Sequence, residues 1–127
     1  MSHRFLARMA TGLAAGLVMA TSAYAHHGWE WADSEQMQLK GEVRSVRIAP
    51  PHPTLEVEAQ DGVWRVELGN PSQTQRAGFI EGSAKPGDEI VVTGNRSRDH
   101  AEKRMKAVQL TVGGKTYDIY PDRVQNP

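Results

Sequence analysis

Four histidines follow residue 25, and they are the side chains of this sequence best suited to chemistry: His26, His27, His52 and His100. Imidazole is the commonest metal ligand in proteins and binds through a neutral ring nitrogen. If processing makes His26 the first residue, its free amine and its Nδ1 can chelate one metal together. A third nitrogen would complete a T-shaped set, which suits Cu(II) because this ion prefers tetragonal nitrogen coordination. The residues therefore predict a copper site at a mature N-terminus.

Two histidines are candidates for the third nitrogen. His52 is the first, because prolines on both sides stiffen its turn and hold the ring at low entropic cost. His27 is the second, through its ring or its deprotonated backbone amide. His100 lies in a polar loop and is expected to be solvated. The alternative is that the two leading histidines form a solvated, mobile start of the chain.

The first 25 residues predict export. Arg4 and Arg8 precede an uncharged apolar run, and Ala23 and Ala25 form the A-x-A pattern that signal peptidase reads. The run is short of the ~20 apolar residues that span a bilayer, although an uncleaved anchor is the alternative. Cleavage after Ala25 predicts a periplasmic protein with no membrane insertion after processing.

The composition of residues 26–127 excludes several functions. Their 102 residues are enough for one domain, and their thirteen basic and fifteen acidic residues give a net charge of −2. Nucleic acid and anionic membranes are therefore not expected partners. The sequence has no cysteine, no serine in a nucleophile elbow and no glycine-rich phosphate loop. We expect a binding protein rather than an enzyme, with a copper-dependent redox enzyme as a further alternative.

The order of the expected elements predicts an all-β fold. The expected strands are short, are bounded by turn residues, and run through residues 37–48, 55–59, 63–68, 90–92, 104–112 and 117–119. Asn70 and Pro71 predict the start of a short helix that ends at Gly78 or Gly82. Three strands, a helix and two or three strands match the OB-fold, a Greek-key barrel whose helix lies between strands 3 and 4. A β-sandwich is the alternative, but it leaves the helical segment without a structural role.

These elements divide the chain into four parts. We expect a signal peptide at residues 1–25, an N-terminal arm at 26–36, an OB-like barrel domain at 37–120 and a flexible tail at 121–127. Trp29 and Trp31 lie two residues apart in the arm, so a strand there would place both on one side. They would pack the arm on the barrel or line a ligand groove, and packing is the favoured role.

Other residues carry narrower expectations. Trp64 is expected in the core with a partner for its indole N–H, and Gly41 is expected to mark a β-bulge. A solvated charged face is expected from three acidic and three basic residues: Glu56, Glu58, Glu67, Arg44, Arg47 and Arg65. The basic stretch at residues 96–106 is expected to be a charged loop that runs into a strand. On an OB-type barrel that stretch would also suit an anionic sugar or nucleotide, although it has no interleaved aromatic residues.

Five short segments occur in a recognisable order: His26-His27-Gly28, Leu39-Lys40-Gly41-Glu42-Val43, Pro51-His52, Trp64-Arg65-Val66-Glu67 and Lys85-Pro86-Gly87-Asp88-Glu89. In these segments the chain resembles a family of small exported bacterial proteins described only as a domain of unknown function. That family has an "NPH-x-W-L" turn, whereas this chain has Pro51-His52-Pro53-Thr54-Leu55, with an extra proline and no aromatic residue. The resemblance implies export and the barrel fold.

The predicted N-terminal histidine is similar, in that feature alone, to the histidine brace of lytic polysaccharide monooxygenases and of small periplasmic copper-carrying β-barrels. The similarity implies a Cu(II) ion held by His26 with His27 or His52, for carriage or buffering rather than catalysis. The alternative is a metal-free barrel module that binds a peptide, a glycan or an envelope partner through the Trp29 and Trp31 arm or through a strand face.

Overall fold

The computed structural model describes residues 28–125 of the 127-residue chain. The elements within this range are β1 (Met37–Arg47), β2 (Thr54–Ala59), β3 (Gly62–Glu67), α1 (Pro71–Arg76), β4 (Glu89–Arg96), β5 (Arg104–Val112), β6 (Lys115–Asp118) and a 3-10 turn (Pro121–Arg123). No helix in this range has the length and apolar character needed to cross a membrane. The chain divides into two units, Met1–Glu30 and Trp31–Pro127, and the barrel belongs to the second.

Five of the strands close into a mixed barrel. The sheet order is β3-β2-β1-β4-β5-β6, and an additional parallel pairing between β3 and β5 joins its ends. β6 extends the sheet beyond β5 as a short antiparallel strand. The helix α1 follows β3 and precedes β4. The predicted OB-type barrel, with its helix between strands 3 and 4, is therefore confirmed.

The hairpin of β2 and β3 follows from alternating residues and a glycine turn. Leu55, Val57, Trp64 and Val66 point into the barrel, and each is at most 2% exposed. Their hydrophilic neighbours point outward, as the period of two predicts. Gly62 has a φ of 125°, a conformation that favours glycine, which is why the turn forms there.

The helix α1 begins where the sequence predicts and is short. The Asn70 side chain accepts a hydrogen bond from the Gln73 backbone N–H at 2.8 Å, and Pro71 occupies the first turn. The helix ends at Arg76, just before Gly78 at a φ of 91°. The buried ring of Phe79 follows it and meets Tyr117 edge-to-face at 5.3 Å between ring centroids, which fixes the helical segment against the barrel.

Gly41 does not mark the β-bulge. The register of β1 against β2 shifts between Val43 and Ser45, whereas Gly41 pairs regularly with Ile90 of β4. A Cβ atom at Gly41 would collide with the Glu58 backbone carbonyl, so the glycine allows β1 and β2 to approach closely. The prediction of a bulge at Gly41 was wrong because a strand glycine also serves close backbone approach.

Residues 31–36 of the arm lie along the end of β4. Ala32 forms a β-bridge with Ser97, and Asn95 donates its Nδ2 hydrogen to the Asp33 carbonyl at 2.8 Å. Gln36 donates its Nε2 hydrogen to the Arg123 carbonyl at 2.7 Å. The sequence places Arg123 in a flexible tail, but residues 121–123 form a 3-10 turn that this bond ties to the arm. The backbone hydrogen bond from Val124 N to Pro121 O closes the turn, so the tail expectation is corrected for these residues.

Three carboxylates stand in one row across neighbouring strands. Glu42 of β1 pairs in register with Glu58 of β2 on one side and with Glu89 of β4 on the other, and all three are exposed. Like charges directly opposite each other destabilise a sheet. We expect Glu42→Lys to raise the free energy of unfolding by about 0.5–1 kcal/mol, as measured by urea unfolding. The gain should shrink in 1 M salt, where the Debye length is about 3 Å.

The matched control for this prediction is Glu81→Lys, which makes the same charge change in an exposed loop. An equal stability gain in both variants would show that net charge, and not the carboxylate row, is responsible.

Candidate functional site

The predicted copper ligands fall partly outside the described residues. His26 and His27 lie there, so the structure gives no position for them. His52 is described and lies half-buried in the β1–β2 loop, residues 48–53. Within residues 28–125, no group of three or more metal-ligating side chains is placed to hold a metal ion. The copper site therefore stays a prediction.

The surroundings of His52 are positively charged. His52 lines a small hollow of about 100 Å³ together with Arg47, Arg65 and Glu67. The Glu67 carboxylate forms its closest ion pair with Arg104, outside this hollow. Two guanidinium groups that share a hollow with the ring raise the electrostatic cost of placing a metal cation there.

Arg65 connects three adjoining hollows on the outside of the barrel. Besides the hollow at His52, one of about 380 Å³ lies over β1 to β3, and another of about 370 Å³ lies where β3 meets the β4–β5 loop, residues 97–103. Arg65 lines all three. We call this surface the β2–β3 face, defined by the outward residues Arg47, Thr54, Glu56, Val63, Arg65 and Lys103.

Glu67 is not part of a solvated charged face. Its side chain is 8% exposed, and its Oε2 accepts a hydrogen bond from Arg104 Nε at 2.6 Å. Arg65 Nε lies farther from the same oxygen, at 3.8 Å. The prediction of a solvated Glu67 was wrong because the parallel β3–β5 pairing brings β5 beside the outer face of β3.

A row of polar residues crosses three strands beneath the arm and the 3-10 turn. Glu67 of β3 and Asn95 of β4 both pair in register with Lys106 of β5, and all three are at most 6% exposed. Burial lowers the pKa of the Lys106 ammonium from its ordinary 10.5, because desolvation disfavours the charged form. The negative charge of Glu67 raises the same pKa but by less. Burial also raises the pKa of the nearby Tyr120 hydroxyl. The fold thus encloses Glu67, which the sequence predicts in solvent, together with Lys106.

Trp31 anchors the arm beside this polar row. The guanidinium of Arg104 lies 3.6 Å from the centroid of the Trp31 ring, within the range of a cation–π contact. The Trp31 carbonyl accepts a hydrogen bond from the Arg98 backbone N–H at 2.8 Å. The ring therefore packs on Arg104. Trp29 is half-buried and belongs to the Met1–Glu30 unit.

The basic stretch at residues 96–106 is divided among several environments. Arg96 lies 4.9 Å from the Trp64 ring centroid, and Arg104 contacts Glu67. The exposed His100 side chain contacts the arm, since its Nε2 lies 2.9 Å from the Asp33 Oδ2. Only Lys103 faces the hollow over β1 to β3. The sequence gives only one signal for the burial of Lys106, which is the apolar run of Met105, Ala107 and Val108 around it in β5.

Most of the chain matches one protein family. The profile of DUF6152, a family of unknown function, matches residues 15–106. The chain belongs to this family. The match confirms the resemblance to an uncharacterised small family, and membership in DUF6152 assigns no activity. No curated protein matches the chain.

Solved structures resemble this DUF6152 protein in fold. A crystal structure of TiaS, with its ZRD deleted and agmatine bound, has a TM-score of 0.50 and 14% identity over 67% of this chain and 26% of TiaS. The S. pombe Stn1-Ten1 complex has a TM-score of 0.47 and 21% identity over 61% and 57% of the respective chains. The S. cerevisiae mitochondrial single-stranded DNA binding protein Rim1 has a TM-score of 0.48 and 11% identity over 64% and 95%.

The DUF6152 chain spans only 18% of the TiaS chain in its complex with tRNA and ATP. Identities this low bear on the fold alone.

Proposed function

We propose that the protein is a small exported binding protein of the periplasm that holds its ligand, without a metal, on the β2–β3 face. The observation that carries this proposal is the set of three adjoining hollows that share Arg65. They lie on strands 2 and 3 between the β1–β2 and β4–β5 loops, which is the surface that OB-folds use for oligonucleotides and oligosaccharides. The strand-face form of the binding-module hypothesis is preferred over the tryptophan-arm form, since the Trp31 ring already packs on Arg104.

Chemical-shift mapping on the ¹⁵N-labelled mature protein tests this proposal. The probes are tetragalacturonate, neutral maltotetraose, an octaglutamate peptide and a single strand of eight thymidines, all without metal. We expect at least one probe to shift the amides of residues 45–47, 54–56, 63–65 and 103, because these residues form the β2–β3 face. Shifts confined to another surface, or no shift with any probe, would overturn the proposal.

Copper carriage is the second candidate function, favoured by the position of His52 at the rim of the β2–β3 face between two prolines. On this proposal His26 supplies its amine and ring, and His52 or His27 supplies a further nitrogen. The two guanidinium groups that share the hollow with His52 oppose it, which is why we place it second.

The copper proposal predicts a mature chain that begins at His26 and binds one Cu(II) in the nanomolar range or tighter. Intact mass gives the first residue, and calorimetry on the same sample gives the affinity. His26→Ala, or one extra residue before His26, should abolish tight binding and leave the unfolding curve unchanged. A different first residue, or equal binding by His26→Ala, would exclude the site. Neither change should affect a metal-free ligand on the β2–β3 face.

A further inference from the structure

We infer that the ligand of the β2–β3 face is an acidic oligosaccharide and that Arg65 binds one of its carboxylates. This inference rests on the proposed function, because it names the chemistry of the ligand on the same face. Four properties of the described residues support it. The β2–β3 face has more cations than carboxylates, and Glu67, the carboxylate nearest to Arg65, is bound to Arg104. Four acidic residues of the barrel gather in a separate hollow, and both edges of β2 and of β3 are already paired.

Positive charge exceeds negative charge on the β2–β3 face. The hollow over β1 to β3 is lined by Arg47, Arg65 and Lys103, and by a single carboxylate, Glu56. Within residues 28–125, the side chains of Arg47 and Lys103 form no hydrogen bond or ion pair. The Arg65 side chain is 65% exposed. Guanidinium groups present a planar fork that matches a carboxylate, so this set suits an anionic ligand.

Glu67 is the acidic residue whose carboxylate lies within ion-pair distance of Arg65. Its carboxylate lies 2.6 Å from Arg104 Nε and 3.8 Å from Arg65 Nε. The Trp31 ring centroid lies 3.6 Å from the Arg104 guanidinium, and buried Lys106, which pairs in register with Glu67, adds a further positive charge near it. The negative charge of Glu67 is therefore offset within the polar row, which leaves the Arg65 guanidinium available to a ligand.

Charge is separated across the barrel even though the mature chain is close to neutral. A second hollow, of about 920 Å³, lies toward the opposite ends of β1 and β2 and shares no lining residue with the β2–β3 face. It contains four acidic residues, Glu42, Glu58, Asp88 and Glu89, of which Glu58 is paired with Arg44 at 2.8 Å. Lys40 is the only basic residue that lines it. The resulting field draws an anion toward the β2–β3 face and away from the opposite hollow.

The backbone and side chains of the face disfavour the other anionic polymers. β2 is paired with β1 and β3, and β3 is paired with β2 and β5, so an acidic peptide finds no open strand edge to extend. No phenylalanine, tyrosine or tryptophan lines the three hollows, so nucleic-acid bases have no stacking platform there. Ser45, Thr54 and Glu56 instead offer groups that can bond sugar hydroxyls.

Calorimetry with tetragalacturonate on the mature protein tests the inference. We expect Arg65→Gln to weaken binding about tenfold or more, because a bond to a charged group is lost. Lys40→Gln is the matched control, since it removes one positive charge from the opposite hollow, and it should change the affinity less than about twofold. Arg65→Lys should fall between wild type and Arg65→Gln, because it keeps the charge and loses the planar fork. Amide spectra of each variant verify its fold.

Three outcomes would overturn the inference. Equal weakening by Arg65→Gln and Lys40→Gln would show unspecific charge attraction. Equal or tighter binding of inorganic phosphate would show a site for a single anion rather than for an oligosaccharide. Stronger shifts of the β2–β3 face with octaglutamate, maltotetraose or the thymidine strand would refute the acidic oligosaccharide and leave the proposed function standing. Absence of any shift on this face would refute both.

Discussion

Glu67→Gln is expected to lower the free energy of unfolding by about 3–5 kcal/mol, because it leaves buried positive charge without its carboxylate. Arg104 would lose its ion pair at 2.6 Å, and Lys106, 2% exposed, would lose the negative charge of Glu67, which favours its ammonium form. The measurement is urea unfolding at pH 7, followed by far-UV circular dichroism. The midpoint should fall with little change in the denaturant slope, since the exposed area on unfolding is the same.

Glu56→Gln is the matched control for this prediction. Glu56 is an exposed residue of β2 that pairs in register with Arg65, so its removal should cost at most about 1 kcal/mol. A stability loss in Glu67→Gln no larger than in Glu56→Gln would refute the structural role of the polar row. If the ligand is an acidic oligosaccharide, as inferred above, folded Glu67→Gln should also bind tetragalacturonate more tightly, since a negative charge 3.8 Å from Arg65 Nε is removed.

The parts of the fold that local signals determine are the parts that the sequence predicts well. Alternation in β2 and β3, the turn at Gly62 and the cap at Asn70 each depend on neighbouring residues alone. Their order along the chain then indicates the OB topology, because few arrangements place a helix between strands 3 and 4.

The sequence does not predict the polar row of Glu67, Asn95 and Lys106, because the row depends on residues far apart in the chain. Glu67 and Arg104 are 37 residues apart, and only the parallel β3–β5 pairing brings them together. Alternation places Glu67 correctly on the outside of β3 beside Arg65. It does not show that β5 pairs with β3 at that position, so alternation predicts a solvated Glu67 where the structure buries it to 6% exposure.

The sequence predicts only part of the β2–β3 face. The basic stretch at residues 96–106 suggested an anion-binding surface, but just one of its residues, Lys103, reaches the hollow over β1 to β3. The sequence predicts Arg65 in a charged strand face and assigns it no special role. The role proposed for it rests on the three hollows that meet at it, and hollows depend on tertiary packing.

Trp64→Ala is the second substitution with a large expected effect. The indole is 2% exposed, donates its Nε1 hydrogen to Asp61 Oδ1 at 2.8 Å, and lies under the Arg96 guanidinium at 4.9 Å from the ring centroid. Truncation of a buried tryptophan removes its transfer free energy and leaves a cavity, so the free energy of unfolding should fall by about 3–5 kcal/mol. Urea unfolding at pH 7 measures the loss.

Acid titration separates the hydrogen bond of Trp64 from its burial. The bond from Trp64 lowers the pKa of the Asp61 carboxyl below its ordinary 3.8. Because the folded pKa lies below the unfolded one, this contribution to stability is complete above pH 3.8 and is lost as pH falls through the folded pKa. Asp61→Asn should therefore remove the whole contribution of this carboxyl to the acid-induced loss of stability. Trp64→Phe, which keeps most of the burial and loses the N–H donor, should remove only the part that the indole hydrogen bond supplies. An unchanged acid limb in both variants would show that the indole stabilises the barrel through burial alone.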